Sequence, residues 1–179
     1  MRKTILAFSA LLIVAAVLIS PRQSSAQITP TSFLIGPHIG FGGWGGTSFG
    51  ANAEKIVMKA GELGPGMLGI SGRFDYSSFD EGWVAYNWTY TLISIGVFGN
   101  YHFKMENDKL DPFVSLGLAY EHWGVSGPES IVGYSYAYSS GIQIAGNAGI
   151  RYFFSPAMAA RAQVGFGLSV LVLGLDFGI

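Results

Sequence analysis

Three histidines are the residues of this chain best suited to bind a metal ion or to transfer protons. They are His38, His102 and His122, and the chain has no cysteine. A metal site needs several such ligands brought to one point. His38 and His102 fall on predicted strands that are not neighbours along the chain, and His122 falls near a predicted loop. We therefore expect no metal, no cofactor and no catalytic group here.

Charged and amide side chains also recur at alternate positions of segments that are otherwise apolar. The set comprises Glu54, Arg73, Asp75, His102, Glu121, Arg151, Arg161, Gln163 and Asp176. Because successive side chains of a strand point to opposite faces, each member lies opposite an apolar face. Buried charges need partners, so these groups are predicted to form an ion-pair network inside a barrel. That network is either a structural plug or a gate that rearranges to pass small ions.

The same alternation predicts eight strands, separated by clusters of glycine, asparagine, aspartate and proline. They lie near residues 33–43, 47–57, 66–79, 88–104, 112–123, 140–154, 158–166 and 168–179. About 9–11 residues of strand cross a bilayer, and an even number of strands is typical of bacterial barrels. The predicted fold is all-β: an eight-stranded antiparallel up-and-down transmembrane β-barrel.

The positions of the charges distinguish a membrane barrel from a soluble one. The apolar face of each predicted strand carries no charge except Lys55, which lies near a strand end. A soluble barrel would need its apolar residues inside and its charges outside. An arginine or lysine facing lipid at the bilayer midplane costs about 2–4 kcal/mol, so a charge-free apolar face indicates contact with lipid.

Aromatic residues cluster at both ends of the predicted strands, as expected for belts at the two membrane–water interfaces. One belt includes Tyr76, Phe79, Tyr90 and Tyr120, and the other includes Tyr101, Phe103, Phe113 and Tyr152. We expect long outer loops at 79–88 and 124–140. Pro37 lacks a backbone donor within the first strand, so a local bulge is expected there.

The first 26 residues have the features of a cleaved export signal. Arg2 and Lys3 precede an almost unbroken apolar run from 5 to 19, which is shorter than the roughly 20 residues that a membrane-spanning helix needs. Small residues follow at Ser24 and Ala26. The predicted division is therefore a signal peptide at 1–26 and a barrel domain at 27–179.

The mature chain is mildly acidic. Arg2, Lys3 and Arg22 leave with the signal, so seven of ten basic residues remain against eleven acidic ones, a net charge of −4. A nucleic-acid partner would need a basic patch, and the sequence has none. We expect no interaction with nucleic acid.

One stretch resembles a known family. Asn100-Tyr101-His102-Phe103, a polar turn, and the run from Asp111-Pro112-Phe113 to Tyr120 are similar to the central hairpin of small porin-family, OmpA/OmpX-type outer-membrane β-barrels. The resemblance covers 27–179. It implies a location in the bacterial outer membrane and contact with membrane lipid and lipopolysaccharide. It also implies recognition of the strand at 168–179 by the barrel-assembly machinery.

These observations favour a non-catalytic outer-membrane protein with a structural role and loops presented outward. Two alternatives remain open at this point. One is a small solute or ion pore, and the other is a surface adhesin that acts through the loop at 124–140. The sequence does not indicate an extracellular ligand.

We predict that the signal is cut after Ala26, because Ser24 and Ala26 provide the small-residue spacing that signal peptidase accepts. The intact mass of protein purified from membranes will therefore correspond to residues 27–179. A purified chain that still begins at Met1 would contradict the prediction of export.

Overall fold

The chain folds as a closed barrel of eight antiparallel strands in sequence order, in a computed structural model that describes residues 32–43, 46–83, 86–126 and 140–179. The strands are β1 (Phe33–Phe41), β2 (Thr47–Met58), β3 (Met67–Trp83), β4 (Tyr86–His102), β5 (Leu110–Ser126), β6 (Gly141–Ser155), β7 (Met158–Phe166) and β8 (Leu171–Gly178). The predicted fold class is confirmed. Within the described ranges, no helix is long and apolar enough to cross a bilayer. The predicted signal peptide lies outside these ranges.

Pairing of β1 with β8 closes the sheet. The register runs from Leu34 opposite Gly178 to Phe41 opposite Leu171. Each strand then pairs with the next along the chain, so that neither β1 nor β8 is left as an edge strand. A sheet in hydrocarbon has to close in this way, since unpaired backbone groups cannot bond to water there.

The predicted alternation of faces is present in the strands. Outward positions are exposed and apolar; examples are Leu116, which is 64% exposed, and Ile142, which is 74% exposed. Inward positions are buried and mostly polar or small. Phe98 is one of several large apolar side chains that point inward. It packs against Ala119, Ala145 and Leu168, and its ring occupies the space that side chains at the neighbouring glycines would fill.

The predicted outer loop at 79–88 is wrong. β3 and β4 continue their ladder from Phe79 opposite Tyr90 up to Trp83 opposite Tyr86. The two strands remain regular over a segment that contains four aromatic residues, which favour β structure. The segment at 127–139, which carries most of the other predicted loop, lies outside the described residues.

Three of the predicted belt aromatics, Phe79, Tyr90 and Phe113, have inward positions. Tyr90 is only 5% exposed and stacks on Phe79 with ring centroids 5.2 Å apart, and Phe113 is 1% exposed. Alternation along the strands points these side chains inward. Proximity to a strand end gives no information about which face a side chain occupies. Tyr76 and Tyr120 face outward near the outer end, and Tyr152 faces outward near the other.

The predicted bulge at Pro37 is absent. β1 keeps an unshifted register with β2 through Pro37 opposite Ala51, and its pairing with β8 has the same register on both sides of Gly36 and Pro37. Pro37 therefore interrupts the hydrogen-bond ladder, but no extra residue is inserted to form a bulge. The adjoining Gly36 permits the close approach of β8, because a Cβ there would lie 1.6 Å from the carbonyl oxygen of Leu175.

The last strand begins at Leu171, three residues later than predicted. Leu168 and Ser169 turn into the barrel instead, where they are 6% and 3% exposed. The segment at 167–170 is held by hydrogen bonds from Val170 N–H to Phe41 O at 3.0 Å and from Gly165 N–H to Val170 O at 2.9 Å. Burial of Leu168 against Phe98 explains why these residues leave the strand.

We predict that Leu118→Arg prevents stable insertion. Leu118 faces outward between Val97 on β4 and Ile144 on β6, so the new charge would lie in an apolar band at a cost of about 2–4 kcal/mol. Glu106→Arg in the exposed turn before β5 is the control, with an expected change of about 0.5 kcal/mol or less. Urea-dependent refolding into lipid vesicles measures both. Equal stabilities would show that the outward face does not contact lipid.

Candidate functional site

The barrel interior collects the polar residues that the sequence singled out. All nine expose 8% of their surface or less: Glu54, Arg73, Asp75, His102, Glu121, Arg151, Arg161, Gln163 and Asp176. They come from seven strands, β2 to β8. Eight of them belong to two hydrogen-bonded groups. We call the first the Arg151 cluster, and of these residues it contains Glu54, His102, Arg151, Arg161, Gln163 and Asp176. We call the second the Asp75 cluster, and it contains Arg73 and Asp75.

Arg151 is the centre of the larger group. Its Nε donates to Asp176 at 2.6 Å, one terminal nitrogen donates to Asp111 at 3.1 Å, and the other donates to Glu54. The ring of Phe113 lies 4.6 Å from the guanidinium carbon, as in a cation–π contact. One buried cation thus bonds to carboxylates from β2, β5 and β8.

His102 joins two of the same carboxylates. Its Nε2 lies 2.8 Å from Glu54, and its Nδ1 lies 2.9 Å from Asp111. Asn100 donates to Glu54 as well and to the hydroxyl of Ser71 at 3.0 Å. Glu54 is therefore bonded by three side chains, from β4 and β6, and its charge is compensated without water.

Arg161 extends the Arg151 cluster towards β7. Its Nε is 3.1 Å from an oxygen of Asp176, and its terminal nitrogens donate to Gln163 at 2.9 Å and to Asn52. Asn52 also reaches Asp176 at 3.5 Å. Asp176 is fully buried and bonded by two arginines, so it keeps one basic partner if the other is lost.

The Asp75 cluster lies nearer the outer end of the barrel. Arg73 contacts Asp75 through two nitrogens at 2.7 Å, and His38 Nε2 approaches it at 3.0 Å. Ser48 donates to Asp75 at 3.4 Å, and Ser169 accepts from Arg73 at 3.4 Å. The inward turn at 167–170 thus ties the outer loop to the buried charges.

Glu121 lies apart from both clusters. The described residues form no ion pair with it, and one of its carboxylate oxygens is buried without a hydrogen-bond partner. Its ladder neighbours are Ser94 on β4 and Gly141 on β6, and neither carries a charge. Strand parity correctly predicts that Glu121 points into the barrel. The residues opposite it on the two neighbouring strands are not basic.

Several members of the clusters were not among the predicted network residues. They are His38, Ser48, Asn52, Ser71, Asn100, Asp111 and Ser169. Asn52 and Asn100 have the inward parity, which could have identified them. Asp111 was missed because the predicted strand began at Pro112, one residue after Asp111, whereas β5 begins at Leu110.

Little free space remains between the clusters. A polar cavity of about 20 Å³, lined by residues such as Asn100, Arg151 and Arg161, has room for about one water molecule. Phe98 and Leu168 fill the lumen on one side of it. Leu34, Ile56, Phe153 and Ala159 form a second apolar layer. Side chains therefore fill the interior, as expected for a barrel of this size.

The interior polar groups are arranged for charge neutralisation. In the described ranges, no three acidic or histidine side chains are placed to hold a metal ion. Ser48 bonds to Asp75 rather than to His38, so histidine does not contact the hydroxyl as a general base would. His102 lies between two carboxylates that are themselves bonded to Arg151.

This architecture matches solved membrane barrels. A de novo designed transmembrane β-barrel superposes with a TM-score of 0.54 at 15% identity, over 86% of this chain and 99% of that one. The N-terminal β-barrel domain of Pseudomonas aeruginosa OprF superposes with a TM-score of 0.52 at 16% identity, over 84% of this chain and 100% of that one. The chain has the transmembrane β-barrel fold. No protein-family model and no curated protein matches the sequence.

We predict that Arg151→Leu destabilises the barrel much more than Arg161→Leu. Loss of Arg151 leaves Glu54, Asp111 and Asp176 with too little positive charge, at a cost of about 3–5 kcal/mol. Loss of Arg161 leaves Asp176 still bonded to Arg151, so about 1–3 kcal/mol is expected. Urea titrations in lipid vesicles compare the two. A reversed order would contradict the central position of Arg151.

Proposed function

We propose that the protein is an integral outer-membrane barrel with a structural, non-catalytic role and a closed lumen. The observation that carries this proposal is the Arg151 cluster, in which one cation binds three carboxylates at the centre of the barrel. A network of this kind closes the lumen to solutes.

The outer surface supports insertion into lipid. Large apolar side chains cover it, including Leu118 and Ile144, which are 58% and 63% exposed. Soluble proteins rarely expose a contiguous apolar surface of this extent. The predicted export signal at 1–26 and the transmembrane-barrel fold together favour the outer membrane of a bacterium, where phospholipid and lipopolysaccharide would surround the barrel. The strand at 168–179 is the segment that we propose the assembly machinery recognises.

A non-catalytic role is supported by how the reactive groups are used. His38 and His102 both contact buried carboxylates, and each of those carboxylates also binds an arginine. These groups are therefore bound to one another inside the barrel, where they neutralise one another's charge.

A pore requires a continuous lumen, and the two apolar layers and the ion pairs oppose this in the described part of the chain. A structural plug is therefore our first choice over a gate. The adhesin alternative depends on the segment at 124–140, of which 127–139 lie outside the described residues, and it remains a prediction.

We predict that the folded protein is recovered in the outer-membrane fraction and migrates faster on gels unheated than boiled. A closed barrel with an apolar surface keeps its compact shape in cold detergent. Fractionation and paired gel lanes measure this. Recovery as a soluble periplasmic monomer would refute the proposed location.

We further predict that the purified barrel shows almost no conductance in planar bilayers, because its lumen is filled. Arg161→Leu should reduce stability while conductance stays near zero if the network is purely structural. Discrete openings in the wild type that become more frequent in this variant would instead support the ion-gate alternative.

A further inference from the structure

A pocket of about 390 Å³ opens at the end of the barrel where β1 begins and β8 ends. It lies between two connections, the turn at 59–66 after β2 and the turn at 103–109 after β4. His102 and Asp111 lie at its inner side and are buried. Its volume falls within the range of about 300–1,000 Å³ that is usual for small-molecule sites.

Both turns that form the pocket are internally bonded. Lys59 N–H donates to the carboxylate of Glu62 at 3.0 Å, and Gly61 N–H donates to Gly64 O at 2.7 Å. Gly61 and Gly64 have φ values of 98° and 104°, which other residues rarely adopt. Gly66 N–H donates to the hydroxyl of Tyr101 at 3.0 Å and ties this turn to β4. The first wall of the pocket is therefore preformed.

The second wall is held in the same way. Phe103 N–H donates to Pro112 O at 2.9 Å, and Leu110 N–H donates to Asn107 O at 3.0 Å. The ring of Phe103 meets the ring of Tyr101 edge to face at 5.1 Å. Aromatic pairs of this kind lie at the level of lipid headgroups in membrane barrels. The pocket consequently lies beside the headgroups of the leaflet that surrounds this end.

The pocket combines two cations, two carboxylates and an apolar wall. Lys59 and Lys104 line it and form no ion pair with any other residue that the structure describes. Asp111 at the inner side is already bonded to His102 and Arg151, so its charge is neutralised. Asp108 provides a further carboxylate at the rim. The apolar lining includes Phe103 and Met105, which are substantially exposed.

We propose that this pocket binds the headgroup of a phosphoethanolamine lipid from the surrounding leaflet. The two lysines would bind the phosphate, and Asp108 would accept a hydrogen bond from the ammonium group. Phe103 and Met105 would contact the first part of the acyl chains. A carboxylate has about four acceptor sites, so Asp108 can bind the ammonium in addition to a protein partner. This inference rests on the proposed membrane location.

The zwitterionic phosphoethanolamine headgroup is favoured over a purely anionic headgroup because the pocket presents both signs of charge. A phosphoglycerol head would satisfy the lysines but would leave Asp108 beside the phosphate. A phosphocholine head has no N–H group to donate to that carboxylate. The pocket chemistry therefore distinguishes three common headgroups.

The test compares the lipids that remain bound to the barrel. The wild type is placed in nanodiscs that contain equal amounts of phosphatidylethanolamine, phosphatidylglycerol and phosphatidylcholine with identical acyl chains. It is then released into mild detergent, and the retained lipid is counted by native mass spectrometry. We expect one retained phosphatidylethanolamine per barrel. The Lys59→Gln/Lys104→Gln double variant should retain it about a hundredfold less, because it loses two charge-assisted hydrogen bonds that each contribute about tenfold.

Lys109→Gln is the matched control, since Lys109 is in the same turn as Lys104 but does not line the pocket. It should retain lipid like the wild type. Asp108→Asn should remove the preference for ethanolamine over glycerol. Equal retention of all three lipids by the wild type would overturn the proposal, and so would a preference for phosphatidylglycerol that Asp108→Asn leaves unchanged.

Two further measurements separate the possible failures. The gel shift on heating shows whether each variant is folded, and soluble glycerophosphoethanolamine provides a competition on the wild type that needs no variant. It should displace the lipid, whereas glycerophosphate should displace it less; equal displacement would overturn the proposal. A wild type that does not enter nanodiscs would refute the membrane location itself. A wild type that inserts but retains no lipid would refute only the headgroup site.

Discussion

Closure of the sheet through β1 and β8 is the constraint on which the rest of the structure depends. In hydrocarbon each backbone N–H and C=O has to be bonded within the protein, and a barrel achieves this only when its first and last strands meet. Closure also gives every strand one face towards lipid and one towards a narrow interior. Polar side chains can then lie only inside, at strand ends or in turns, and the narrow interior brings their charges into contact.

The Arg151 cluster follows from that confinement. Glu54 and Arg151 are 97 residues apart in the chain, yet both point into the same cross-section of the lumen. The high cost of leaving either charge unpaired makes the network sensitive to the loss of a central member. Apolar layers around Phe98 and around Leu34 complete the filling. A filled interior is consistent with a structural role and leaves the turns and loops as the places where a ligand could be recognised.

The pocket between the turns at 59–66 and 103–109 shows how recognition could arise at a closed barrel. The strands contribute its rigid inner side through His102 and Asp111, and the turns contribute the lysines. Recognition at this pocket does not depend on conduction through the lumen. A barrel with a sealed interior could still distinguish the lipids around it through the side chains at its rim.

The sequence by itself determined the fold class and the face on which nearly every strand residue lies. Strand side chains have a period of two, so alternation such as Ile93-Ser94-Ile95-Gly96 records the environment of each residue directly. Proximity to a strand end misplaced Phe79, Tyr90 and Phe113, where parity would have placed all three inside. Only the tertiary structure decided which acid meets which base. The partners of Arg151 come from β2, β5 and β8, and their meeting depends on strand register and on closure of the barrel. Glu121 illustrates the difference, because its inward parity was predictable, whereas its lack of a basic partner among the described residues was not.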